Sequence, residues 1–247
     1  MYSKCLALLF LNILTISVDS YYVDNRIIGG QDVTIDEAPW QIALLLNNEF
    51  ICGGSIYSEL FVITAAHCVV EKPEQQLQIR AGSINYNEGG SLMSIAKTLC
   101  HEDYNSTRKI HDIAMLLLKK PLELSARIQP IPMAEKSPDP WSWATITGWG
   151  RSSNNLNPST ILQVAQLQVL SHFWCLLEYF PVIFDDKFCA YNAYSQACQG
   201  DSGNPLVLDG KLVGIVSFGQ QNCGGSSVYV DVAKMRQWIE KAVKILS

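Results

Sequence analysis

The sequence predicts an all-β protein finished by one C-terminal α-helix. Three observations carry this reading. Short apolar runs recur between turn signals at 41–46, 60–64, 77–80, 113–118, 161–170, 212–218 and 228–232. That spacing belongs to sandwiches and barrels, not to alternating βαβ units. Asp209-Gly210 separates an apolar run at 205–208 from another at 211–218, and a two-residue hairpin turn needs residues that accept positive φ. At the C-terminus the period changes. Val232, Met235, Ile239, Ala242 and Leu246 recur at near-helical spacing with Lys, Arg and Glu between them, which predicts an amphipathic helix over about 232–246.

Taken from the start, the chain opens with a targeting signal. Lys4 precedes a mostly apolar run from Cys5 to Val18, and Val18-Asp19-Ser20 ends in a small residue. Such a segment reads as a signal peptide over 1–20, too short and too early for a spanning helix. No later run is long enough to cross a bilayer, so the mature protein is expected to be secreted, extracellular and free of the membrane. Residues 21–26, YYVDNR, are polar and lead into Ile27-Ile28-Gly29-Gly30. A basic residue before an apolar pair and two glycines marks a processing site after Arg26, with 21–26 as propeptide.

The body is 48% hydrophobic and 17% charged over 247 residues, a composition that supports a large core and excludes a disordered chain. A net charge of −5 offers no basic patch for nucleic acid. Five prolines fall between Pro121 and Pro140, and proline discourages central strands. Residues 119–142 therefore read as a linker between a β unit at about 27–118 and a second at about 143–231. With Cys5 removed, seven cysteines remain. In an oxidising compartment most pair and at least one is left over; spacing does not assign the partners. The tight CxxC pairs of a zinc site are missing, and no metal is expected.

The chemistry centres on Cys198-Gln199-Gly200-Asp201-Ser202-Gly203-Asn204-Pro205. Glycines on both sides of a serine permit a tight turn whose N–H groups converge on one point. A serine hydroxyl is a poor nucleophile at neutral pH. It needs a base, a carboxylate to orient that base, and donors for the oxyanion. His67, in Thr64-Ala65-Ala66-His67-Cys68, and Asp112, at the mouth of Ile113-Ala114-Met115-Leu116-Leu117-Leu118, are the candidates. Taken singly, the histidine reads as packing beside a disulfide and the aspartate as a strand cap.

Together these segments resemble the chymotrypsin/trypsin family of serine proteases. The resemblance covers nearly all of the mature chain. It includes Ile27-Ile28-Gly29-Gly30, Thr147-Gly148-Trp149-Gly150, Ser217-Phe218-Gly219 and Val228-Tyr229-Val230, with His, Asp and Ser in the family order. It implies two antiparallel six-stranded Greek-key barrels with the site in the cleft between them. It implies Ser202 as nucleophile, His67 as base and Asp112 as the residue that orients His67. Gly200 and Ser202 would supply the oxyanion hole. Ser217 would support Asp112, and the backbone of Ser217 to Gly219 would pair with substrate. The resemblance also pairs Cys52 with Cys68, Cys175 with Cys189 and Cys198 with Cys223, leaving Cys100 as a buried free thiol or, alternatively, one half of an intermolecular bridge. Cleavage after Arg26 would free the Ile27 amino group to pair with Asp201. The propeptide has no cysteine and is expected to be released.

Several positions depart from the family. Gln196 stands where trypsins carry the aspartate that neutralises a substrate Lys or Arg. A guanidinium against a neutral amide lacks its counter-charge, so strict Lys/Arg specificity is not expected. Ser227 stands where the family usually has glycine and is expected to narrow the pocket, while Gly219 keeps its entrance open. An enzyme that rejects arginine cannot readily cut after its own Arg26, so a separate trypsin-like activator is expected. Asn204 replaces a glycine after the nucleophile and adds bulk behind the turn. The short 82–90 loop lacks the paired acidic residues of calcium-binding relatives. Asn105-Ser106-Thr107 is a glycosylation sequon in a surface loop.

The expected function is a secreted serine endopeptidase. The expected partners are protein or peptide substrates, an activating protease and protein protease inhibitors. No cofactor is expected, and the protein is expected to be a monomer. The alternative is a catalytically weak or silent homologue acting as a binding or regulatory protein; His67, Asp112, Ser202 and Gly200 are all present, which favours the enzyme.

Overall fold

Apolar runs become strands here where each finds neighbours on both edges. The computed structural model describes residues 27, 29–152, 155–180 and 185–247. The expected signal peptide and propeptide, Arg26 included, lie outside those residues. β1 (Gln31–Asp32) is a short edge. It is followed by β2 (Gln41–Leu46), β3 (Glu49–Ile56), β4 (Phe61–Thr64), β5 (Leu77–Ala81), β6 (Ser91–Cys100) and β7 (Ala114–Leu118). These six strands close antiparallel in the order β2-β3-β4-β7-β6-β5. Closure leaves no open edge to aggregate.

The second set is β8 (Trp143–Gly148), β11 (Gln163–Val169), β12 (Lys187–Tyr191), β13 (Pro205–Leu208), β14 (Lys211–Gly219) and β15 (Ser227–Asp231). Between them β9 (Arg151–Ser152) and β10 (Asn155–Pro158) form a separate ribbon. The order is β8-β11-β12-β15-β14-β13, with β13 pairing back to β8, and β1 adds to β11. Counted within its own six strands, each barrel runs first, second, third, sixth, fifth, fourth. The two barrels thus share one Greek-key connection. The β13–β14 hairpin turns through Asp209 (φ 50°) and Gly210 (φ 72°), the positive-φ pair that the sequence requires there.

Three α-helices, α1 (Ala66–Val69), α2 (His172–Tyr179) and α3 (Val232–Leu246), and one 3-10 turn (Glu74–Gln76) complete the described residues. Asp231 caps α3 by accepting from the Ala233 N–H at 3.1 Å. Met235, Trp238, Ile239, Ala242 and Leu246 face inward and join the core of the first barrel, beside Leu116, Leu118 and Ile131. The helix leaves the second barrel and packs on the first, so burying this face fastens the two together; full burial of one such side chain is worth about 2 kcal/mol. Trp238 Nε1 and Lys241 Nζ each reach Glu102 at 2.7 Å. None of the described helices is long and apolar enough to cross a membrane.

The chain between β7 and β8 is strapped to both barrels. Leu122 N–H donates to Glu59 O and Ile131 N–H to Ile56 O, while Ala134 N–H donates to Leu212 O. Several elements have no counterpart among the runs read from the sequence: the strands β1, β3, β6, β8, β9, β10 and β12 and the helices α1 and α2. β3 carries Gly53 and Gly54 at its centre, which look like a turn in sequence. Both are instead points of close approach. A Cβ at Gly53 would lie 1.6 Å from Asn204 Oδ1, and one at Gly54 would lie 2.8 Å from Ile63 O. β6 fully buries only Ile95 among its ten residues, so no two-residue alternation marks it.

Candidate active site

His67 and Asp112 meet because of strand register. β4 and β7 pair antiparallel with Thr64 opposite Ala114. The end of one strand therefore lies beside the start of the other, and α1 and Asp112 emerge together. Asp112 is fully buried. Its Oδ2 lies 2.7 Å from His67 Nδ1, and its Oδ1 accepts from the His67 N–H at 2.9 Å. Ser217, on β14 of the other barrel, donates from Oγ to Asp112 Oδ2 at 2.6 Å. Burial by itself would raise the Asp112 carboxyl, but the His67 ring, the Ser217 hydroxyl and the His67 N–H together hold it below the ordinary carboxylate range. The buried aspartate thus stays ionised, and its partner imidazole carries its proton on Nδ1. The Cys52–Cys68 bridge ties α1 to β3 directly beside this pair.

Ser202 reaches the same cleft from the second barrel, in the turn that leads into β13. Its carbonyl accepts from the Gly53 N–H of β3 at 2.8 Å, and the following Gly203 N–H donates to Val216 O at 2.8 Å. The turn is pinned to both barrels by these two bonds. Ser202 and His67 line one cavity of about 290 Å³; the hydrogen bond between such a pair often tightens only on a substrate. Gly200 adopts φ 98°, a conformation that L side chains avoid. Among the described residues, neither the Gly200 nor the Ser202 N–H donates to a protein acceptor. Both stay available to an oxygen in the cleft.

Asp201, between them, points the other way and is fully buried. Its Oδ2 accepts from the Cys198 N–H at 2.9 Å, and its Oδ1 accepts from the Gly150 N–H at 2.9 Å and from Asn204 Nδ2 at 3.0 Å. Burial pushes its carboxyl up to about 7 against the pull of these three donors. Ile27 is also fully buried, in the core cluster of the second barrel with Ala144, Ile146 and Ala197.

The rest of the cavity wall comes from Ala197, Gln199, Val216, Phe218, Gly219, Gln220, Gln221 and Ser227, with Lys109 at the rim. No acidic side chain is among its lining residues. Gly219 and Ser227 are paired on adjacent strands of the wall: a Cβ at Gly219 would stand 3.7 Å from Ser227 Oγ. Gln196 is not part of the open wall. It is 7% exposed, and its Oε1 is buried without a hydrogen-bond partner. The Cys198–Cys223 bridge joins two lining residues, and Cys175–Cys189 fastens α2 to β12. Glu178 on α2 accepts from the Ser226 N–H and from Gln220 Nε2, bracing the far wall.

Other sequence candidates lie outside the cleft. Asn105 is exposed in a loop ahead of Asp112, its Oδ1 accepting from the Arg108 N–H. Cys100 is unbridged and half-buried; burial and then the nearby Asp112 charge raise its thiol to about 11, which keeps it protonated and unreactive. The 82–90 loop closes on the Arg80 guanidinium, which donates to the Tyr86 and Gly89 carbonyls. The sequence reading did not single out Gln41, Lys109, Gln199, Gln220 or Glu178. Each is an ordinary surface-type residue in sequence, and only the fold brings it to the site.

A family model described as Trypsin matches residues 27–239. Trypsin iota of Drosophila melanogaster is 39% identical over 229 residues, which is 90% of each chain. A trypsin of Sarcophaga bullata is 38% identical over 232 residues, 91% of each chain. Among solved structures, neuropsin, described as a serine protease expressed in the limbic system of mouse brain, superposes with a TM-score of 0.81 at 30% identity, covering 87% of this chain and 98% of that one.

Proposed function

The chain belongs to the trypsin family and is a serine endopeptidase; from that premise we propose how its site works and what it accepts. The observation that carries the mechanism is the fully buried Asp112, held by His67 Nδ1 at 2.7 Å and by Ser217 Oγ at 2.6 Å, beside a cleft that also contains Ser202. Asp112 fixes the tautomer of His67 so that Nε2 is free as a base. His67 takes the Ser202 proton as the hydroxyl adds to the scissile carbonyl, then delivers a proton to the leaving amine. The acyl-enzyme is hydrolysed by the same steps with water in place of serine. The Gly200 and Ser202 N–H groups receive the oxyanion, where a single donor is worth about 2.7–4 kcal/mol of transition-state stabilisation. Backbone from Ser217 to Gly219 pairs with the substrate as an added strand.

The acceptor pocket is not built for Lys or Arg. Its lining has no carboxylate, Ser227 adds a side chain to the wall, and Gln196, at the position where trypsins carry an aspartate, is neutral. A guanidinium buried without a counter-charge would lose roughly 3–5 kcal/mol relative to a paired one. Medium or polar side chains fit this pocket better. Activation follows cleavage after Arg26 by a separate trypsin-like protease, after which the Ile27 ammonium reaches Asp201. Three disulfides accord with residues 1–20 directing secretion. Protein substrates follow from the family; protein inhibitors are the other expected partners. The test is a peptide-library cleavage profile of the Arg26-cut protein. Strong preference for Lys or Arg would overturn the pocket assignment.

A further inference from the structure

The β6–β7 ladder brings two histidines together outside the cleft. Cys100 pairs with Ala114 at its end, and the His101 N–H extends the pairing by donating to Ile113 O at 3.1 Å. His111 therefore stands beside His101, and their rings stack with centroids 4.3 Å apart. The chain passes through His111 at φ 48°, a left-handed conformation that is disfavoured for a non-glycine residue and tends to collect at functional sites. Asp103 comes from the start of the loop that joins the two histidines. One ligand atom from each of His101, Asp103 and His111 lies within 4.8 Å of the others.

Both imidazoles have a lone pair to offer. The Asp103 N–H donates to His101 Nδ1 at 3.1 Å, so that nitrogen is unprotonated and is held by one neutral hydrogen bond that a metal would replace. His111 Nδ1 is buried and has no hydrogen-bond partner among the described residues, which leaves unmade a bond that a metal would supply. The neighbouring groups are committed elsewhere and hold the pair in place. Trp238 of α3 stacks on His101 at 5.1 Å, and Glu102 accepts from Trp238 Nε1 and Lys241 Nζ. Asp186, just before β12 of the second barrel, accepts from the main-chain N–H of His111 and from Lys187 Nζ, each at 2.8 Å. A zinc ion about 2.0–2.1 Å from each ligand needs those atoms about 3.4 Å apart, so the three close in by roughly 1.4 Å at most. The exposed Asp103 side chain and the part-exposed rings leave room for that movement.

We propose that His101, Asp103 and His111 form a site for a divalent transition-metal ion of the zinc class, with water as the fourth ligand. Two imidazoles and one carboxylate suit such an ion, whereas calcium takes six to eight oxygens. The cysteine spacing and the 82–90 loop carry no expectation of a metal, and these ligands belong to neither. Strand register assembles them from residues 101, 103 and 111. The ion ties the end of β6 to the residue before Asp112 and closes the largely exposed loop that carries Lys109 to the rim of the cleft.

The test is titration of the full secreted chain, without added histidines and carrying Ser202→Ala so that it does not digest itself. Cobalt(II) should give the visible absorption of a tetrahedral centre and saturate at a single ion per chain; zinc(II) should displace it and calcium should not. Calorimetry should show zinc affinity lowered by about 100-fold or more in His101→Gln and in His111→Gln, and by about tenfold or more in Asp103→Asn, since losing a ligand costs at least as much as losing a residue that supports one. Zinc should raise the melting temperature of the chain with its three ligands intact and leave that of His101→Gln unchanged. Asp103 is exposed, so Asp103→Asn decides the matter if a histidine variant does not fold. A chain that binds no zinc overturns the proposal, and so does a cobalt spectrum of octahedral ligation. Zinc bound with undiminished affinity by Asp103→Asn and His101→Gln also overturns it, because the ion would then sit elsewhere, at His67 or His172.

Discussion

Thr64 lies opposite Ala114 across the β4–β7 ladder, and this register brings His67 Nδ1 to within 2.7 Å of Asp112 Oδ2. A slip of one residue would turn Asp112 away and expose the alternate face of β7. Asp112 reaches the second barrel as well, through Ser217. One carboxylate therefore joins both halves of the molecule at the cleft.

Asp112→Asn keeps the size of the side chain and removes the charge. The asparagine NH₂ would favour the wrong imidazole tautomer. We expect kcat to fall by about 10⁴-fold with little change in KM, checked by steady-state kinetics on the cut protein. A loss of less than tenfold would remove Asp112 from the mechanism.

Asp201 predicts a pH dependence in the uncut chain. Its folded carboxyl stands at about 7 against an ordinary 3.8. The folded form thus binds its proton more tightly than the unfolded form does. The stabilisation is fully present below the unfolded value and is lost as pH rises through about 7, by about 4 kcal/mol in all. Urea unfolding of the Arg26→Gln chain at pH 5 and pH 8 should show about 2.5 kcal/mol of this loss, and Asp201→Asn in the same background should not. Asp231, also raised by burial, contributes alike to both variants and cancels. Equal slopes would refute the assignment.

Cys198 and Cys223 are 25 residues apart in sequence and both line the cleft. Replacing both by serine frees that loop in the unfolded chain, which should cost about 3.5 kcal/mol. The wall of the pocket loosens at the same time, so KM should rise as the melting temperature falls. Thermal melts and kinetics on the one variant measure both effects.

Gln196→Asp places a buried carboxylate where the neutral amide is 7% exposed and its Oε1 has no partner. Relative to the natural chain, kcat/KM for arginine substrates should rise at least about tenfold against substrates with neutral side chains. A profile unchanged by the substitution would mean that Gln196 does not set selectivity.

Much of the fold was legible because its signals are local. The hairpin at Asp209-Gly210 needs only two residues that tolerate positive φ, and α3 shows its period in one buried stripe. β3 was not legible, because the reason for Gly53 and Gly54 is a close approach by Asn204 and Ile63 from elsewhere in the chain. β6 lacks alternation because only Ile95 is fully buried. α2 buries only Cys175, which leaves no stripe to read.

The sequence alone determined the chemistry: which serine, histidine and aspartate stand in ordered motifs, and where turns must fall. Those choices depend on residue type and short spacing. Only the tertiary structure decided how the turn around Ser202 is held. Asn204 adds bulk behind that turn, as its sequence position implies, but the fold makes it a hydrogen-bond donor to Asp201, steered by Gln41 and Thr147 across 163 and 106 residues of chain. A buried amide has a meaning only through its partners, and those partners are set by barrel packing, which no local pattern records.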